Sequence, residues 1–190
     1  LQEIASDGNL SLGLYSVIMN ENAMNLRQLL EWCEEKHLTI RFSLVEMRDR
    51  FNNADMEDTC EIDAKNKATI FEFLNDLSHD KGLYKPHTYV YDYLADLLQY
   101  NRQRTMSCDY ALGGVIVGSH GELFYCPHDD TIGNCRDKSA YEIFYDQNNL
   151  GHRRNSLIPN KCLHCPPRNF GYLAIQVDIF KYLKFLIGRN

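Results

Sequence analysis

Hydrophobic and polar positions follow three rhythms along this chain. From Leu12 to Met19 (Leu-Gly-Leu-Tyr-Ser-Val-Ile-Met) the residues are mostly apolar over a strand's length, the pattern of a sheet covered on both faces. Asn20-Glu21-Asn22 punctuates it. Leu26, Leu29, Leu30 and Cys33 then recur at i, i+3, i+4 and i+7, which predicts a helix with one buried stripe. Leu38 to Val45 alternates apolar with polar residues and reads as a second strand. Strand, helix and strand over about 35 residues predict a βαβ unit with parallel strands. Met47 to Ile62 is polar and acidic and reads as a loop. Asp63 is placed to cap a helix from Ala64, whose core face is Ile70, Phe73, Leu74 and Leu77. Asp80-Lys81-Gly82 breaks that helix, and Pro86 suits the first turn of another, with Val90, Tyr93, Leu94 and Leu97 at helical spacing.

Asn101 to Met106 reads as a linker, so the expected division is 1–105 and 106–190. Beyond it, Leu112 to Gly118 is a short apolar strand and Ser119-His120-Gly121 a tight turn, with Glu122 to Cys126 as the return strand. Gly121 supplies the positive φ that such turns favour. Ser139 to Asp146 predicts a short helix, and Gln147-Asn-Asn-Leu-Gly-His a polar break. Leu173 to Ile187 is helical in length, with only Asp178, Lys181 and Lys184 as a polar stripe. So broad an apolar face calls for burial on two sides or an interface, first of all against its own chain.

Composition narrows the function classes. The chain has 190 residues, 44% hydrophobic and 12% aromatic, enough for a packed core. Its net charge of −6 argues against a general nucleic-acid grip. Tyr89, Tyr91, Tyr93 and Tyr100 lack the interleaved Lys and Arg of a stacking platform and read as core and rim packing. From Gly151 onward, seven Lys and Arg face the single acid Asp178, a basic rim on an acidic chain. No apolar run reaches the ~18–20 residues of a membrane span. Seven cysteines, an odd number without a secretory leader, suggest a reducing, cytoplasmic setting with metal-bound thiols rather than disulfides. The chain opens without Met inside what reads as continuing structure, as a fragment would.

The chemistry is concentrated in four cysteines. The predicted hairpin returns Cys108 and Cys126 to one end, and Cys162-Leu-His-Cys165, followed by Pro166-Pro167, makes a C-x2-C turn. Four thiolates in this arrangement suit an iron–sulfur cube or a tetrahedral zinc ion. Zinc ribbons usually present two C-x2-C knuckles, whereas here one half spans a whole hairpin. Cys135 reads as a buried small hydrophobe, with replacement of one of the four ligands as its other use, and Cys33 as a core residue; Cys60 is assigned no role, and His164 reads as pointing away from the metal. A redox dithiol at Cys162 and Cys165 lacks the strand-before, helix-after context. Pro127-His128-Asp129-Asp130 reads as a charged loop capping the hairpin end, with substrate binding or proton movement as its other use.

The pattern Cys108, twelve residues, Gly121, four residues and Cys126, followed by Ile132-Gly133-Asn134 and then Cys162 and Cys165, resembles the auxiliary-cluster domains of radical SAM enzymes, called SPASM or, in the one-cluster form, twitch. Arg168 to Asn190 contains no cysteine, so the resemblance is to the one-cluster form. It implies a remnant of a partial (β/α) barrel followed by a small α+β cluster domain, with an auxiliary [4Fe-4S] cluster on Cys108, Cys126, Cys162 and Cys165. It further implies a missing N-terminal barrel, S-adenosylmethionine in the full-length enzyme, a peptide or small-molecule substrate and an electron donor protein. The radical SAM signature C-x3-C-x2-C is absent, so the chain as given is not competent to cleave S-adenosylmethionine. The rival expectation is a non-enzymatic zinc module on the same four cysteines.

Overall fold

The computed structural model describes residues 12–46, 55–80, 85–101, 103, 108, 110, 113–163, 165 and 179–188. They form a mixed α/β protein with helices and two small sheets, and no closed barrel is present among them. The chain divides into two compact units, Leu1–Asn101 and Arg102–Asn190.

In the first unit, β1 (Gly13–Ile18) and β2 (Thr39–Leu44) pair in parallel, from Gly13 opposite Thr39 to Ile18 opposite Leu44. Parallel neighbours need a crossover, supplied by α1 (Leu26–Glu35). Leu26 and Cys33 are buried on it, and Leu29 and Leu30 half-buried, as the spacing predicts. Asn22 shapes the entry to α1: its side chain accepts from the Met19 N–H at 2.9 Å and donates to the Val17 carbonyl at 2.8 Å. On β2, Ile40, Phe42 and Leu44 are buried. β1 departs from the expectation of a sheet covered on both faces. Only Ile18 is buried, while Tyr15 is 56% exposed. Two strands and one crossover helix leave the remaining surface of that strand to solvent.

The polar stretch before Asp63 is not all loop, because Glu57–Cys60 forms one helical turn, α2. The Asn20 and Glu21 amides donate to the Cys60 and Thr59 carbonyls, which gives the turn partners that its own sequence does not announce. α3 (Ala64–His79) is capped as predicted, Asp63 accepting from the Asn66 N–H at 2.8 Å. That bond and the Asn20 side chain hold the Asp63 carboxyl below the usual carboxylate range. Ile70, Phe73, Leu74 and Leu77 are all buried against α4 (Lys85–Tyr100). Tyr89, Tyr91 and Tyr93 are buried too, and the Tyr91 hydroxyl accepts from the Phe42 N–H at 3.3 Å. Phe42 meets Phe73 edge to face at 4.9 Å, joining sheet to helices.

In the second unit a hairpin is present, but its strands are shorter than the expected 112–118 and 122–126, with Cys126 beyond the return strand, and it gains a third strand. β3 (Ile116–Val117), β4 (Glu122–Phe124) and β5 (Gly133–Asn134) are antiparallel in that order. Gly121 has φ 89° in the turn. Gly133 is where Ile143 approaches the strand: a Cβ there would lie 2.8 Å from Ile143 Cγ2. α5 (Ala140–Phe144) starts with a reciprocal Ser139–Glu142 capping box. The expected polar break at 147–152 is instead a helix, α6 (Gln147–His152). Asp146 caps it by accepting from the Asn148 and Asn149 amides, and the Asn149 side chain donates to the Ile132 and Ile143 carbonyls. Arg153–Lys161 continues as a wide π-helical segment with Pro159 inside it. At the end, α7 (Ile179–Ile187) has no buried residue, with Phe180 84% exposed, so burial on two sides is not observed. Asp178 and the start of the expected 173–187 helix lie outside the described residues. No helix among those residues is long and apolar enough to cross a membrane.

Two outcomes test this account of the first unit. Leu74→Ala, at a position with no exposed surface, is expected to cost about 2–5 kcal/mol in urea unfolding. Asp63 has a depressed folded-state pKa, so its capping contribution is present above the ordinary carboxylate range and is lost as pH falls through the folded value. Asp63→Asn should therefore flatten the acid limb of the stability profile measured by circular dichroism.

Candidate metal centre

After β4 the chain turns inward, and Tyr125 and Cys126 are both buried with Leu157 of the π-helical segment. Tyr110, Ile132, Phe144 and Cys162 pack on this cluster. Cys126 and Cys162 thus meet one hydrophobic core. The Cys165 N–H points to the Cys162 carbonyl at 3.5 Å, closing the C-x2-C turn. His128 stands between the two halves: its N–H donates to Cys126 Sγ at 3.3 Å, and its Nε2 lies 3.9 Å from Cys165 Sγ.

Cys108 is buried in the same unit, and Tyr110, two residues on, joins the core cluster. The Tyr110 carbonyl accepts from Arg153 Nη2 at 2.8 Å. The Arg153 guanidinium also lies 5.1 Å from the Tyr125 ring centre and 5.2 Å from that of Phe144. Cys135 is elsewhere: its N–H donates to the Gly121 carbonyl at 2.8 Å, at the turn end of β4, whereas Cys126 follows the other end. It is half-buried rather than a core residue. Cys33 and Cys60 are buried in the first unit, and burial pushes the Cys33 thiol up, as for an inert core residue. His164, Pro166 and Pro167 lie outside the described residues.

Sequence reasoning singled out Asp129 only as part of a charged loop and missed its burial and pairing. Its side chain has no exposed surface. His152 Nε2 lies 2.9 Å from each carboxylate oxygen, and Lys161 Nζ donates to Oδ1 at 3.3 Å. The Asp129 N–H donates to the Cys126 carbonyl at 3.2 Å, which ties the carboxylate to the cysteine loop. The loop is therefore not simply a solvated cap. The partners lie 23 and 32 residues away, and no local spacing signals them.

Nearby, the Tyr125 hydroxyl donates to the Phe144 carbonyl at 2.6 Å, and burial pushes its pKa up against the opposing pull of Arg153. A groove of about 310 Å³ borders Asn134, Glu142, Asp146 and Asn149. Of its three carboxylates, Asp137, Glu142 and Asp146, the last two are committed to the Ser139 and α6 caps. Thiols and imidazoles are soft to borderline donors of the kind that iron–sulfur clusters and zinc take, but among the described residues no three of the four cysteine sulfurs lie within 4.8 Å of one another. Comparison of the chain with protein-family models, curated proteins and solved structures finds no match.

Tyr125→Phe removes a buried hydrogen bond with little change of shape. The expected outcome is a loss of about 1 kcal/mol in urea unfolding.

Proposed function

We propose that this chain is the C-terminal part of a radical SAM enzyme. Residues 1–105 would be the end of a partial barrel with its linking helices, and residues 106–190 a twitch-like domain holding an auxiliary [4Fe-4S] cluster through Cys108, Cys126, Cys162 and Cys165. The observation that carries this reading is that His128 contacts both Cys126 and Cys165, with Cys162 packed on the same core cluster as Cys126, after a Gly121-turned hairpin. The parallel βαβ unit upstream is the arrangement expected of barrel strands. When bound, such a cluster supplies one-electron transfer or an anchoring iron during radical modification of a peptide, sugar or small metabolite. The chain's own part is to hold the cysteines: the His128 amide donates to Cys126 Sγ, and Cys126 is buried with Tyr125 and Leu157. S-adenosylmethionine cleavage belongs to the missing N-terminal barrel, since C-x3-C-x2-C is absent here. An electron donor protein and a cytoplasmic setting complete the reading.

One observation favours zinc as a second reading. His128 Nε2 and Cys165 Sγ are 3.9 Å apart, near the separation of about 3.6 Å that tetrahedral Zn–S and Zn–N bonds impose. In a cubane each iron takes one protein ligand, so donors do not share a single ion.

Anaerobic reconstitution with iron and sulfide, followed by metal analysis and a visible spectrum, separates the two. The cluster reading expects a brown protein with about four irons per chain, and loss of that iron in Cys126→Ser and Cys162→Ser. A colourless protein that takes one zinc overturns the radical-enzyme reading and leaves the second.

A further inference from the structure

We infer that Asp129 is a positioning residue for the metal centre: its buried carboxylate sets the distance between the Cys126 loop and the Cys162–Cys165 turn. The inference rests on the reading that these cysteines bind a metal, but not on which metal. Asp129 has no exposed side-chain surface, and burying a carboxylate is unfavourable unless it is paired. Its two partners bracket one segment. His152 ends α6, immediately before the π-helical stretch Arg153–Lys161, and Lys161 is that stretch's last residue, next to Cys162. One carboxylate thus holds both ends of the segment, while its own amide is bonded to the Cys126 carbonyl.

The segment needs such a brace. A π-helical run is unusual in length beyond a single turn, and Pro159 inside it has no N–H to donate. Leu157 anchors its middle against Tyr125 and Cys126. Its two ends are tied by Asp129, and the C-terminal tie decides where Cys162 emerges. The carboxylate's side-chain partners are His152 and Lys161. Its effect on the metal is exerted through the backbone on either side.

The test uses the full chain, with zinc alone as one probe and anaerobic iron and sulfide as the other, and chelator competition as the readout. Asp129→Asn keeps the shape and removes the charge. It should weaken retention of the probe that the wild type binds by about 10- to 100-fold, as groups supporting metal ligands typically do. Lys161→Arg should retain wild-type affinity. Ser139→Ala, which weakens the α5 cap of the same unit away from the cysteines, serves as the fold control. It should lower the melting temperature without changing metal affinity. If Asp129→Asn holds the metal as tightly as the wild type, the inference is overturned. It is also overturned if Ser139→Ala loosens the metal equally. Should Asp129→Asn fail to fold, His152→Leu and Lys161→Met each remove one arm at a half-exposed position, and unchanged affinity in both overturns the proposal. A wild-type chain that binds neither zinc nor a cluster removes the metal reading itself, and the inference with it.

Discussion

A carboxylate shut away from water forces its surroundings into place, and Asp129 does this for the second unit. Desolvating a charge costs several kcal/mol, so the folded state requires His152 and Lys161 to reach it together. That requirement fixes both ends of the π-helical segment and thereby brings Leu157 onto Tyr125 and Cys126. Arg153, at the start of the same segment, is held over Tyr125 and Phe144 and bonded to the Tyr110 carbonyl. Short strands of two or three residues supply little stability alone. Here they are tied in by this polar and aromatic framework.

The first unit uses a more ordinary division of labour. Packing of α3 on α4, with Phe42 against Phe73, supplies the apolar core. Polar side chains choose the chain path around it. Asn20 illustrates the economy: its amide bonds the Cys60 carbonyl, while its side chain contacts Asp63 and Asn66. One residue in the loop after β1 thus fastens both α2 and the start of α3.

Legibility tracked the range of the interaction. The Leu26–Cys33 and Ile70–Leu77 stripes, the Asp63 cap and the Gly121 turn all arise within about two helical turns, so their residues announce them. α6 was hidden because Gln147–His152 carries no apolar stripe. What makes it helical is the Asp146 cap and the Asn149 side chain reaching the Ile132 and Ile143 carbonyls. β5 is two residues long and is held by pairing with β4 rather than by strand propensity. At the candidate centre, the spacing singled out Cys108, Cys126, Cys162 and Cys165. It said nothing of His128 as their neighbour or of Asp129 as a buried charge.

By itself the sequence determined the parallel βαβ order, the two long helices with their core faces, and the hairpin with a glycine at its turn. Hydrophobic period, capping chemistry and φ preference are properties of neighbouring residues, and they survive in one dimension. Tertiary structure alone decided that β1 stays largely open to solvent, that Cys135 sits away from Cys126, and that Asp129 joins His152 and Lys161. Each of those outcomes depends on which distant groups compete for the same buried space and the same hydrogen bonds. Such competition is resolved only when the chain closes on itself.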